Sequence, residues 1–267
     1  MKTEKIFKKP LAKYFMLTFL LFWVLIAITG VTLQLNPPKL IQYILPVICS
    51  WAPTFVLLIF FKKLLPDMKL KIFLKQQFCT KVNISNLLLI FGIQTVIFLI
   101  TAALIAKVNG TILFSTLTPS ISFIAITFFD HLIRGPIGEE LGWRGYALNK
   151  LQKKHSPLLS AIIVGVVWGF WHTPLWFLTS GYTGLNLVLY IVLFMITIIS
   201  SSVIITFFYN NNKNIIVAMM IHQLMNFYAA LSSRGVLEVF QYIAPLYFIF
   251  ALILVIVNYK KMSLKLI

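Results

Sequence analysis

Two adjacent carboxylates, Glu139 and Glu140, stand in a chain that has only 6 Asp and Glu residues among its 267. They open the stretch Glu139-Glu140-Leu-Gly-Trp-Arg144. In a helix, Glu140 and Arg144 are four residues apart and can form an ion pair that holds and neutralises one carboxylate. Glu139 then points about 100° around the helix and is free for chemistry. Taken alone, the pattern fits an ordinary salt bridge at a helix end as well as a reactive site.

A second pattern is Trp168-Gly-Phe-Trp-His172-Thr-Pro174. Trp168 and His172 share one helix face, and Pro174 weakens the helix just after the histidine. Apolar residues precede His172 for more than two turns, so we expect it to lie well inside a membrane or a cavity. A lone histidine in such a helix is more often a packing residue than a reactive one.

The third pattern is His222-Gln-Leu-Met-Asn226, whose spacing puts both polar groups on one helix face. Alone, it predicts a hydrogen bond between helices, worth about 1 kcal/mol in a bilayer. Together, the three patterns place one free carboxylate, two imidazoles and an amide on three apolar segments. Ionisable residues at membrane depth are costly and mark functional sites.

The chemistry that this set supports is hydrolysis. Glu139, His172 and His222 are donors that can hold a zinc ion with an open position for water. The same side chains without metal can run a hydrolysis by general-base catalysis. The residues leave both alternatives open.

The ordered trio, which runs from 139 to 226, resembles the three motifs of the CPBP family of intramembrane proteases. The name joins CAAX proteases with bacteriocin-processing enzymes, and the family is also called Abi. Its motifs are EExxxR, an aromatic residue four before a His, and HxxxN. The resemblance implies an all-helical membrane fold with the site in a conical cavity open to the cytoplasmic side. It also implies hydrolysis of a peptide bond near the C-terminus of a substrate.

The resemblance also implies roles for the site residues. Glu139 and His172 would activate the attacking water, Arg144 would orient Glu140, and His222 and Asn226 would stabilise the oxyanion. The family is labelled metalloprotease, so zinc is the expected cofactor if one is needed. We expect a small peptide, a leader or a membrane-anchored peptide as substrate. The alternatives are a non-enzymatic bacteriocin-immunity or scaffold protein and, less favoured, a transporter.

The elements that must position these residues are membrane helices. Hydrophobic residues make up 60% of the chain, charged residues 11%, and the mean hydropathy is +0.94. Such a composition predicts an all-α integral membrane protein rather than a soluble one. We interpret residues 1–267 as one polytopic domain with a catalytic core at about 118–231 and about eight transmembrane helices that enclose a cavity. The predicted spans are 14–34, 40–61, 86–106, 118–134, 158–178, 187–209, 214–231 and 239–258.

The net charge of +17 follows the loops rather than one compact face. Lys and Arg number 5 in the N-terminal tail, then 1, 6, 1 and 5 in the first four loops, with a weaker alternation afterwards. This distribution excludes a nucleic-acid partner and favours anionic lipid headgroups. By the positive-inside rule, we predict a cell-membrane protein with both termini in the cytoplasm.

Three further features carry predictions of their own. Asp130 and Arg134 can pair at four residues apart, as supporting charges or part of an entrance. The basic and apolar loop at 62–81 is predicted either as a helix at the membrane surface or as a plain loop. His155 is predicted as a solvated loop residue.

Overall fold

The computed structural model describes residues 9–113, 117 and 120–264. Almost all of these residues are helical, which confirms the all-α prediction. Within the described ranges, strand-like pairing is limited to one isolated bridge, between Leu117 and Ser232. Two features of the sequence analysis lie outside the described residues. One is the group of N-terminal lysines Lys2, Lys5 and Lys8. The other is residue 118, at which the predicted fourth span and the predicted catalytic core begin.

The helices follow one another with short connections. They are α1 Pro10–Gln34, α2 Lys39–Ser50, α3 Ala52–Ile59, α4 Phe61–Leu64, α5 Leu70–Phe78, α6 Ile84–Val108, α7 Ile121–Arg134, α8 Pro136–Glu140, α9 Asn149–Gln152, α10 Pro157–Trp171, α11 Thr173–Leu178, α12 Gly184–Asn212, α13 Ile215–Ala230, α14 Val236–Val257 and α15 Tyr259–Ser263. A π-helical stretch, Leu141–Leu148, joins α8 to α9. Residues 136–152 therefore form one continuous helix.

Five helical segments of the described chain are long and apolar enough to cross a membrane: α1, α6, α10 with α11, α12 and α14. The pair α2–α3 makes a sixth if its 60° bend lies within one span. All eight predicted segments are mainly helical over their described residues, but eight spans are not confirmed. The difference lies in α7 and α13, which have 14 and 16 residues, whereas a straight span needs about 20.

Helix α13 lies at the centre of the fold, where it packs against α6, α7, α8 and α12. Most of its side chains are buried, with Ile215, Ala218 and Ile221 wholly so. A short helix at membrane depth is tolerated when protein surrounds it. The third motif therefore lies on the central helix α13, whereas the second motif lies on a different helix, α10.

Two glycines bring α10 close to α12. A Cβ atom on Gly165 would lie 2.9 Å from the Cα of Ile199, and one on Gly169 would lie 2.4 Å from Met195 Sδ. The approach requires glycine at 165, where the neighbour is backbone, whereas at 169 the flexible Met195 side chain can shift. The contact fixes the helix that ends at His172.

Polar contacts gather several loops at one end of the bundle. The Asn83 backbone N–H donates to Asn212 Oδ1 at 2.8 Å, and Asn210 Nδ2 donates to Gln152 Oε1 at 2.9 Å. The basic loop at 62–81 lies at this end too and contains helix α5, whose Phe73 is buried. The loop therefore contains a helix, and the position of that helix at the membrane surface stays a prediction. The side of the membrane that this end faces stays a prediction.

Candidate active site

The first motif lies where α8 passes into the π-helical stretch. Glu139 and Glu140 end α8, and Arg144 lies one turn further on. All three are buried, with Glu140 and Arg144 at 0% exposure. Gly138 makes room for Trp51, because a Cβ atom there would lie 2.5 Å from Trp51 Cδ1. π-helical turns occur preferentially at functional sites, and this one places an arginine beside two buried carboxylates.

Glu140 has the structural role that its spacing from Arg144 predicts. Its Oε1 accepts from Arg144 Nη1 at 2.7 Å. The same oxygen accepts from His222 Nδ1 at 2.8 Å, a contact that the sequence does not reveal because 82 residues separate the two. Glu140 therefore fixes the ring of His222 as well as the guanidinium of Arg144.

Glu139 is held by two indoles. Its Oε2 accepts from Trp168 Nε1 at 2.6 Å and from Trp143 Nε1 at 3.3 Å. Its Oε1 has no hydrogen-bond partner among the described residues. Glu139 lies outside the five apolar spans, and burial raises its pKa to about 7, while His222 opposes part of that rise. One oxygen is thus anchored and the other is available.

His172 caps the C-terminus of α10, one residue after the last helical turn. Its Nδ1 lies 2.8 Å from the carbonyl oxygen of Trp168. Since a carbonyl only accepts, Nδ1 carries the proton and Nε2 has the free lone pair. The ring is half-buried and packs edge-on against Trp171 and Phe194. His172 is therefore set up as a proton acceptor.

Trp168 connects all three motifs. Beside its bonds to Glu139 and His172, its ring lies under the guanidinium of Arg144, with 4.5 Å from the Arg144 Cζ to the ring centroid. The ring of His222 meets it edge-on, with centroids 4.8 Å apart. The spacing of the second motif predicts only that Trp168 shares a helix face with His172. It does not predict the two indole bonds to Glu139. The four-residue spacing of Glu139 and Trp143 is a signal for one of them, whereas the bond from Trp168 depends on packing between distant helices.

His222 and Asn226 open toward Gly135, between α7 and α8. A Cβ atom on Gly135 would lie 3.4 Å from His222 Nε2 and 3.0 Å from Asn226 Nδ2. Asn226 is half-buried, and its side chain has no hydrogen-bond partner in the described part of the chain. The two polar ends of the third motif therefore converge beside a backbone that carries no side chain.

Glu139, His172 and His222 are the side chains predicted to hold zinc. Among the residues that the structure describes, no three His, Cys, Asp or Glu side chains have an arrangement that could hold a metal ion. Glu139 Oε2, His172 Nδ1 and His222 Nδ1 are each engaged by protein groups. A requirement for zinc stays a prediction.

The upstream charges lie apart from this set. Arg134 Nε donates to Asp130 Oδ1 at 2.7 Å, as the spacing predicts. The guanidinium of Arg134 also stacks on Tyr43, with 4.9 Å from the Cζ to the ring centroid. His131 bonds the carbonyl oxygen of Thr127. Their role at an entrance stays a prediction.

Comparison with known proteins agrees with the motifs. Residues 120–228 match the family described as "Type II CAAX prenyl endopeptidase Rce1-like", a range that contains all six predicted site residues. The chain is also 28% identical over 175 residues to "CAAX prenyl protease 2" of Methanococcus maripaludis. The alignment covers 63% of this chain and 64% of the relative, so it spans less than two thirds of the relative's length. Both matches support the CPBP family of CAAX-type proteases as the family that this chain resembles.

Proposed function

We propose that this protein is an intramembrane endopeptidase that hydrolyses a peptide bond by means of a water activated by Glu139 and His172. The observation that carries the proposal is the position of Trp168, which holds Glu139 through its indole and His172 through its carbonyl. One residue thereby sets the relative position of a base and a second proton acceptor.

In the proposed reaction, a water binds between Glu139 Oε1 and His172 Nε2. Glu139 takes a proton as the water oxygen attacks the carbonyl carbon of the scissile peptide. Burial makes the carboxylate a better base than an exposed glutamate, since its pKa lies near the working pH. His172 accepts a hydrogen bond from the same water and directs its lone pair.

The attack places negative charge on the carbonyl oxygen. The Asn226 amide and, when doubly protonated, the His222 Nε2–H would donate to it. Preorganised donors of this kind contribute about 3 kcal/mol each to such a transition state. Glu140 supports this role, because its carboxylate accepts from the other nitrogen of His222 and stabilises the imidazolium.

The intermediate then collapses as the C–N bond breaks, and Glu139 returns its proton to the leaving amine. The products are one new carboxylate and one new amine, and the enzyme regains its starting protonation state. Arg144 donates to Glu140 and lies against Trp168, so it keeps Glu140 in position beside His222. Each of the six predicted site residues thus has a role in one reaction.

We propose a peptide substrate that reaches the site from the bilayer. The relative's name contains "CAAX prenyl protease", so a peptide that ends in a CAAX sequence is the first candidate. A small secreted peptide, its leader or a membrane-anchored peptide remains the prediction from the sequence. Bacteriocin processing and self-immunity are further proposed roles that rest on the sequence motifs alone.

The test uses purified protein with farnesylated and unmodified peptides of one CAAX sequence, analysed by mass spectrometry. We expect cleavage of at least one peptide by wild type, and none by Glu139→Gln or His172→Ala. Asp130→Asn is the matched control, because it removes a carboxylate that lies on α7, within the predicted catalytic core but outside the candidate active site. Equal cleavage by wild type and Glu139→Gln would exclude the mechanism. An inactive wild type would favour the immunity or scaffold alternative.

A further inference from the structure

A basic cavity lies away from the candidate active site, where the start of α1 meets the turn between α9 and α10. It has a volume of about 250 Å³, the space of about eight water molecules. Three lysines and one histidine line it together with an apolar wall from the first turn of α1. The lining residues are Lys9, Pro10, Leu11, Ala12, Lys150, Leu151, Lys154 and His155.

The cavity collects positive charge without compensation. None of the described acidic residues lines it, and none forms a salt bridge with Lys9, Lys150 or Lys154. Cations that share a concave site repel one another, and an anion that enters relieves the repulsion. His155, which the sequence predicts as a solvated loop residue, lies half-buried in the turn between α9 and α10 and lines this cavity.

An apolar surface continues from the cavity along α1. Ala12 forms part of the wall, and the residues that follow it at four-residue intervals are all exposed: Met16 at 60%, Leu20 at 59%, Val24 at 46% and Ile28 at 54%. Residues four apart are neighbours along a ridge that is inclined to the helix axis, so these side chains form a stripe that starts at the cationic cavity and winds part of the way around α1. We call it the α1 stripe. On a membrane-spanning helix, such a stripe faces hydrocarbon.

We propose that this cavity and the α1 stripe bind one anionic phospholipid, with the headgroup phosphate between Lys9, Lys150 and Lys154 and an acyl chain along the stripe. The charge selects an anion, and the stripe selects a lipid over a free phosphate. Basic pockets between membrane helices bind anionic headgroups in this way. The site is independent of the candidate active site, so the inference stands whether or not the protein is a protease.

The test is titration of the full-length protein in neutral detergent with phosphatidylglycerol and with phosphatidylcholine of the same acyl chains, with bound lipid counted by native mass spectrometry. We expect at least about tenfold tighter binding of phosphatidylglycerol. Lys150→Gln with Lys154→Gln should weaken it about thirtyfold, since each lysine contributes about fivefold. Lys260→Gln with Lys261→Gln is the matched control, because these exposed lysines lie on α15 and do not line the cavity.

Three results would overturn the proposal. Equal binding of the two lipids would show that the charge does not select the ligand. An equal loss in the two double variants would show diffuse attraction rather than a site. Binding of glycerol phosphate as tightly as phosphatidylglycerol would show a phosphate site to which the α1 stripe contributes nothing. Thermal unfolding of both double variants at the wild-type temperature ensures that lost binding reflects the site and not the fold.

Discussion

The indole of Trp168 donates to Glu139 Oε2 at 2.6 Å, across 29 residues of sequence. This bond leaves Glu139 with one anchored and one free oxygen. It also ties the first motif to the second, because the carbonyl of Trp168 holds His172. The candidate site is therefore built around a tryptophan whose N–H, ring and carbonyl each contact a different functional residue.

The first prediction concerns that N–H. Trp168→Phe keeps an aromatic ring but removes the donor to Glu139, and a hydrogen bond to a charged group contributes about 1.5–3 kcal/mol. We expect kcat/KM to fall about tenfold to a hundredfold, with a wild-type amount of folded protein. Steady-state kinetics on the peptide that wild type cleaves measures this.

Trp176→Phe provides the control for this experiment. Trp176 is 4% exposed, and its Nε1 has no hydrogen-bond partner among the described residues. Its replacement removes a donor that bonds nothing, so activity should stay within about twofold of wild type, in line with the small effect of losing an unmade bond. Similar losses in the two variants would mean that Trp168 acts through packing alone.

A second prediction concerns the buried ion pair. Arg144→Met leaves Glu140 as a buried carboxylate without its guanidinium, which typically costs about 3–5 kcal/mol of unfolding free energy. Adding Glu140→Gln removes the uncompensated charge, so the double variant should be more stable than Arg144→Met alone. Denaturant unfolding in detergent measures the unfolding free energies of the two single variants and of the double variant. The coupling energy of the pair follows from this double-mutant cycle.

The half-exposed pair of Asp130 and Arg134 is the comparison for that cycle. Exposed pairs contribute about 0.2–1 kcal/mol, so Asp130→Asn should change stability little. If Arg144→Met were no more destabilising than Asp130→Asn, the buried pair would not hold the site together.

A third prediction follows from the environment of Glu139. Burial raises the pKa of this carboxyl to about 7. The proton acceptor must be ionised, so kcat/KM should be low in acid, rise about tenfold per pH unit below 7, and rise no further above it. The pH–rate profile of wild type measures this. A rate that stays constant from about pH 5.5 to 8.5 would contradict a base with this pKa.

A fourth prediction concerns Gly135. The Cβ atom of Gly135→Ala would lie 3.0 Å from Asn226 Nδ2 and would fill the space toward which His222 Nε2 opens. We expect the peptide carbonyl to lose access to these donors, with about a hundredfold fall in kcat, the size of one lost oxyanion-hole contact. The φ of Gly135 is −131°, so alanine brings no left-handed strain.

Gly92→Ala is the matched control, since an added Cβ atom there meets nothing within 4 Å. It should leave activity unchanged and stabilise α6 by up to about 1 kcal/mol. Full activity in Gly135→Ala would show that the carbonyl does not bind beside His222 and Asn226.

Much of this arrangement could be predicted from local spacing. The i, i+4 relations between Glu140 and Arg144 and between Trp168 and His172 depend only on helix geometry, and the structure contains both. Composition was sufficient for an all-helical membrane fold. The number of spans was not, because α13 is short and apolar yet surrounded by protein, and hydropathy does not distinguish protein from lipid.

Contacts between distant segments could not be predicted in the same way. The bond from His222 to Glu140 and the bond from Trp168 to Glu139 depend on how α8, α10 and α13 pack. That packing rests on glycines such as Gly165, whose significance appears only when the neighbouring backbone is known. The sequence therefore predicts which residues have functions, and the fold determines which of their atoms are free.

Glu139 and His172 are proposed to activate a water whose oxygen atom enters the new carboxylate of the product. Cleavage in water enriched in oxygen-18 tests it most directly, with the new carboxylate analysed by mass spectrometry for wild type, Glu139→Gln and Asp130→Asn. We predict one labelled oxygen per cleaved bond in wild type and in Asp130→Asn, and no product from Glu139→Gln. Labelled product formed by Glu139→Gln at the wild-type rate would contradict the account.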